Sequence, residues 1–131
     1  MKKTLLLLIV FSTALSGCTT QTQIAGTNTG TLIGHVDIGP ICPVERPGVP
    51  CPVPPAAYDA RKIVATNQMS KQATEISIDN QSGNYSVTLA VGTYEITVKS
   101  PSSIERNLPQ SVVIESGKKT VLDITIDTGI R

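Results

Sequence analysis

From residue 31 to residue 127, apolar side chains recur at alternate positions in runs of six to eight residues, each bounded by Gly, Asn, Pro or Ser. A period of two is the mark of a strand with one buried face, and no stretch beyond residue 18 carries the 3.6-residue period of an amphipathic helix. The alternation predicts an all-β domain with strands at 31–38, 60–66, 74–79, 84–90, 93–99, 110–115 and 121–127. Seven strands at that spacing have the rhythm of a Greek-key β-sandwich. The inward set is Leu32, Gly34, Val36 and Ile38, then Ile76 and Ile78, Tyr85, Val87 and Leu89, Tyr94, Ile96 and Val98, Val112 and Ile114, and Leu122, Ile124 and Ile126. Residues 60–66 do not declare their facing. His35 is expected to point outward, and the Val91-Gly92 turn is expected to join 84–90 and 93–99 as a hairpin.

Residues 79–83, Asp-Asn-Gln-Ser-Gly, read as a turn in which Gly83 supplies a positive φ. A calcium loop would need acids at alternate positions and a closing Glu, and this cluster has neither. Residues 39–55 form a proline-rich loop holding Cys42 and Cys51. Zinc-binding cysteine pairs stand two to four residues apart. Here eight residues intervene and His35 is the only histidine, so a disulfide is expected and no metal or cofactor site.

The N-terminus sets the compartment. Lys2 and Lys3 precede an almost wholly apolar run from Leu5 to Leu15, followed by Ser16-Gly17-Cys18. This is the pattern of an export signal, and the run is too short for a spanning helix of roughly 20 residues. Leu15-Ser16-Gly17-Cys18 resembles the bacterial lipobox, which implies a signal peptide over 1–17, diacylglycerylation of the Cys18 thiol and acylation of its freed amine. Two or three acyl chains, at about 0.8 kcal/mol per buried CH₂, anchor a protein durably. Thr19, where an Asp would favour inner-membrane retention, points to the outer membrane of a two-membrane envelope, or otherwise to the outer face of the cell membrane. Residues 18–30 are Thr, Gln, Gly and Asn with few apolar side chains and read as a flexible tether, leaving 31–131 as the domain. An exported chain that spends Cys18 on lipid keeps an even pair of cysteines for a disulfide.

Without residues 1–17 the chain has 114 residues, nine basic and ten acidic, and its positives at Arg61-Lys62 and Lys118-Lys119 come as isolated pairs expected at solvated turns or strand ends. No basic stripe is present, which argues against nucleic acid. The domain's aromatics are Tyr58, Tyr85 and Tyr94, too few for the stacking platforms of sugar or single-strand binding.

Asp79-x-x-x-Gly83-Asn84-Tyr85-x-Val87, followed by Leu89-x-Val91-Gly92-Thr93-Tyr94-x-Ile96, resembles the carboxypeptidase regulatory-like domain, a transthyretin-like (prealbumin-like) seven-stranded sandwich. The resemblance covers residues 59–127. A second, over residues 34–52 together with Asp127-Thr128-Gly129-Ile130-Arg131, is to a set of small bacterial secreted proteins and lipoproteins. The transthyretin-like fold also hosts enzymes. Metallocarboxypeptidase zinc takes two His and a Glu, intradiol dioxygenase iron takes two Tyr and two His, and hydroxyisourate hydrolases use several His and Arg with a different tail. One histidine satisfies none of them. Nor does His35 sit in a nucleophile–base motif, and Glu95, Asp123 and Asp127, the conceivable carboxylate pairs for glycoside hydrolysis, are expected outward and solvated.

These readings converge on a membrane-anchored lipoprotein of the cell envelope without catalytic machinery, in which Val44, Glu45, Arg46 and Val49 of the cysteine loop form the candidate recognition surface. The alternative is an accessory subunit that adds an edge strand to an envelope protein partner, and the least favoured is a hydrolase built around His35.

Overall fold

The computed structural model describes residues 28–44, 46–101 and 104–130; residues 1–17, Cys18, most of the tether and Glu45 lie outside them. Its strands are β1 (Thr29–Gly39), β2 (Lys62–Asn67), β3 (Ala73–Ser77), β4 (Asn84–Ala90), β5 (Gly92–Lys99), β6 (Ile104–Glu105), β7 (Gln110–Ile114), β8 (Lys119–Val121) and β9 (Ile124–Asp127), with one short helix, α1 (Pro55–Asp59). They form two sheets, ordered β4-β1-β9-β6 with β8 also on β1, and β3-β2-β5-β7. The architecture is an all-β sandwich. Its core is the alternating set, with Leu32, Val36, Ile63, Ile96, Ile114, Ile124 and Ile126 fully buried between the sheets. The run of undeclared facing turns Ile63 and Ala65 inward.

Three expectations are corrected. Strands β4 and β5 are not a hairpin, because β4 pairs with β1 in one sheet while β5 pairs with β2 and β7 in the other. The Val91-Gly92 turn therefore arches across the core, and both flanking runs keep the predicted inward residues. The hydroxyl of Tyr94 donates to the Ala90 carbonyl at 3.0 Å and pins that arch. Strands β2 and β3 are joined as a hairpin within one sheet, around a turn where Asn67 Oδ1 accepts the N–H groups of Met69 and Ser70. The strand count also differs from seven: β6 is added, and the last expected strand is divided into β8 and β9. Finally, α1, a helix that was not expected, follows the loop where it ends at Pro55. Pro55 starts it with a preset φ at the first helical position, and Tyr58 gives it one buried anchor.

The division of the last strand has a physical cause. Pairing of β1 with β8 (Ile33 opposite Val121) and with β9 (Val36 opposite Ile124) is parallel and in one continuous register, broken only at Leu122 and Asp123. In the gap, the His35 N–H bonds to Asp123 Oδ1 at 2.9 Å in place of a backbone carbonyl. The Leu122 carbonyl turns into the core and accepts the Tyr85 hydroxyl at 2.5 Å. That carbonyl lies where a Cβ on Gly34 would be, and Tyr85 Cε1 would be 2.9 Å from the same Cβ. Glycine is the residue that admits this approach. Burial, with Asp123 nearby, pushes the Tyr85 phenol well above its ordinary range, so it remains a donor.

Gly34→Ala should therefore lower unfolding stability by about 3 kcal/mol through overpacking, and Tyr85→Phe by about 1–3 kcal/mol by orphaning a buried carbonyl. Urea denaturation monitored by circular dichroism checks both. A loss below about 0.5 kcal/mol for Gly34→Ala, the size of an ordinary surface substitution, would show that the strand break does not depend on this contact.

Candidate functional site

Strand β1 hands the chain directly into the loop between Gly39 and α1. The Cys42–Cys51 disulfide closes it, with the two Cα atoms 6.3 Å apart. Ile41 and Val53, just outside the bridge, are partly buried against the core and form the loop's feet. Between the cysteines, Pro43, Pro47 and Pro50 fix φ, and the Val49 N–H donates to the Arg46 carbonyl at 3.1 Å across a turn in which Gly48 takes φ +80°. The result is a short loop with few free torsions.

Val44 and Val49 are 69% and 64% exposed. They do not simply decorate the surface. With Pro43, Pro50, Arg46 and both half-cystines they line a concavity of about 360 Å³. The structure thus brings together Val44, Arg46 and Val49 with the disulfide, while Glu45 lies outside the described residues. No ion-pair or hydrogen-bond partner meets the Arg46 guanidinium among the described residues.

What braces this loop is the C-terminal segment. The Thr128 N–H donates to the Gly39 carbonyl at 3.2 Å and the Thr128 hydroxyl donates to that of Pro40. Asp127 accepts the Gly129 N–H at 2.9 Å and an ion pair from Arg106. Its expected outward, solvated position is corrected, since Asp127 is 3% exposed. The carboxylate is held in by Arg106 and by the chain reversal it caps. Reasoning on strand alternation missed this role, because the alternation ends where the segment turns toward Gly39. The signal available was the pairing of residues 34–52 with 127–131 in one motif, two stretches that meet where Gly39 and Pro40 face Asp127 and Thr128.

The other candidates behave differently. Glu95 lies on β5 in one sheet, and Asp123 lies between β8 and β9 of the other. His35 is partly exposed, with Nδ1 3.0 Å from Asn84 Oδ1 and Nε2 3.4 Å from Asp37 Oδ1. Nearby Tyr58 is buried, and desolvation followed by the charge of Asp37 raises its phenol, which disfavours a nucleophilic phenolate. Arg61, expected at a solvated strand end, is instead 8% exposed. Its Nη1 donates to the Ala57 carbonyl at 2.6 Å, and burial lowers its pKa against an opposing effect from Glu105.

At the turn 79–83, Asp79 Oδ1 accepts the N–H of Gln81 at 3.0 Å and both the N–H and the hydroxyl of Ser82 at 2.8 Å, while Gly83 takes φ +72°. This is the expected turn, closed on itself. These bonds, those from Ser82 first, lower the Asp79 pKa below its ordinary value. No group of three or more His, Cys, Asp or Glu suited to a metal ion occurs among the described residues.

No family model matches the chain, and no curated protein matches it. Among solved structures it is similar to a DUF3823 family protein from Bacteroides ovatus, with a TM-score of 0.46 and 21% identity over 75% of this chain and 44% of that one. It is similar also to a DUF3823 family protein from Parabacteroides merdae, with a TM-score of 0.47 and 17% identity over 76% of this chain and 46% of that one. A leucine-rich repeat protein from Bacteroides thetaiotaomicron gives a TM-score of 0.47 and 13% identity over 76% of this chain and 12% of that one. The chain spans less than half the length of each of these three.

Two measurements follow from the loop and the turn. Replacing both Cys42 and Cys51 by Ser should lower the urea midpoint by the equivalent of about 2–3 kcal/mol, the loop-closure entropy of a bridge this short, while the β-sheet dichroism persists; an unchanged midpoint would show that the prolines alone hold the loop. Because the folded pKa of Asp79 is depressed, its contribution to stability is present above the unfolded pKa and is lost as pH falls through the folded one. A carboxyl ¹³C titration should give Asp79 a midpoint below the ordinary aspartate value, and a midpoint at or above it contradicts the turn geometry.

Proposed function

We propose that this protein is a lipid-anchored, non-enzymatic binding module of a bacterial cell envelope, exported by residues 1–17, held to a membrane through Cys18 and contacting its partner through the Cys42–Cys51 loop. The observation that carries this reading is the span of β1. The eleven residues of this strand run from the end of the tether straight to the foot of the loop. At about 3.3 Å per residue the two ends stand roughly 33 Å apart.

The tether end is fastened at one pole of the sandwich, where the Val91 N–H donates to the Asn28 carbonyl and the Gly117 N–H to that of Thr29, each at 2.9 Å. The loop, α1, the turn 79–83 and the C-terminal segment gather at the other pole. A chain anchored through Cys18 would then carry its exposed valines and Arg46 on the side away from its own membrane. Such an arrangement suits display. The Thr19 sorting signal, in an envelope with two membranes, favours the outer one.

The transthyretin-like, carboxypeptidase regulatory-like identity of the scaffold belongs to the same proposal. Its support is the Gly92-Thr93-Tyr94 pattern, whose tyrosine ties the crossing between sheets. A second reading, an accessory subunit joined by edge-strand addition, has β7 as its candidate. This strand borders its sheet beside β5 alone and exposes Val113, although its Val113 carbonyl already accepts the Thr120 hydroxyl at 3.2 Å.

Intact mass of the protein from its native membrane should show loss of residues 1–17, an acyl adduct on Cys18 and two thiols that appear only on reduction. Photocrosslinkers placed at Val44 and at Val113 then separate the two readings. Adducts from Val44 support the loop, adducts from Val113 alone support edge addition, and an unlipidated mass sinks the anchored module.

A further inference from the structure

Three concavities of the described surface bear comparison. One, lined by Ser77, Asp79, Ser82, Asn84, Tyr85 and Ser86, is polar, and Asp79 Oδ1 in it already takes three bonds from the turn. Another, lined by Thr66, Gln68, Lys71 and Glu95, holds one charge of each sign. The loop concavity differs from both. Its described walls are proline rings, two valines and the disulfide, and Arg46, the charged side chain among the described lining residues, has no partner among the described residues.

Resting on the reading of the loop as contact surface, we propose that this concavity takes one apolar side chain of a partner protein that carries a carboxylate directly beside that side chain. The chain end of a partner finishing in leucine, valine or isoleucine has this chemistry. At about 360 Å³ the space is at the small end of ligand pockets, enough for a side chain and its flanking peptide. Proline at positions 43, 47 and 50 removes backbone N–H donors from the loop, and among the described lining residues Arg46 is the one that carries charge. A guanidinium accepts a carboxylate through two parallel N–H···O bonds, geometry that a neutral amide cannot return. The bridge and prolines hold the walls before the partner arrives, so little ordering opposes binding.

The test uses the full lipidated chain in phospholipid nanodiscs with labelled valine methyl groups, titrated with acetyl-Gly-Gly-Leu as the free acid and as the C-terminal amide. Saturable shifts should appear at the methyls of Val44 and Val49, with affinity for the acid about tenfold above that for the amide. In Arg46→Gln the acid should fall to the level of the amide while valines of the core keep their shifts. Equal binding of acid and amide, or shifts confined to valines outside the loop, overturns the proposal. So does the absence of any saturable shift. If Val44 still crosslinks a partner in native membranes, only the ligand chemistry has failed; if it does not, the contact-surface reading fails with it.

Discussion

The sandwich depends on one close approach, in which the Leu122 carbonyl sits in the space that a side chain on Gly34 would fill and is met there by the Tyr85 hydroxyl. Around that point three segments distant in sequence are tied together: β1, β4 and the divided terminal strand. A buried carbonyl withdrawn from its ladder costs about 1–3 kcal/mol unless a donor meets it, and Tyr85 is that donor. Asp123 completes the repair by taking the His35 N–H that the break leaves over. The parallel pairing of first and last strands survives its interruption without a change of register, and the alternation of Leu122, Ile124 and Ile126 toward the core is preserved.

Most of the core was legible because alternation is a local property. Each residue assigned inward from its run, from Leu32 to Ile126, lies at or beside the core, since facing depends only on position within a strand. Pairing is not local. The arch at Val91-Gly92 and a hairpin turn leave the same pattern in the flanking residues, so the partner sheet of β5 could not be read from its own residues. Asp127 and Arg61 show a second limit. Their burial is decided by what lies over them, an ion pair from Arg106 in one case and the Ala57 carbonyl of α1 in the other. The cysteine pairing was legible for a chemical reason, an even pair in a chain expected to be exported, whereas the concavity it encloses arises only when Val44 and Val49 are folded to the same side.

The sheet core and the cysteine loop are held by different means in this chain. The apolar area that holds the fold lies between the sheets, among residues such as Ile63, Ile96 and Ile124, and owes nothing to the residues between Cys42 and Cys51. Those residues are held by covalent and torsional constraints of their own, with Ile41, Val53 and the Thr128 bonds as the attachment to the core. A loop so built can exchange its exposed side chains without unsettling the sandwich. Val44 and Val49 stand exposed at the tip of the loop, and burial in the core accounts for neither. Under the proposed function, contact with something outside the chain would account for their place, and Arg46 beside them would give that contact a sign.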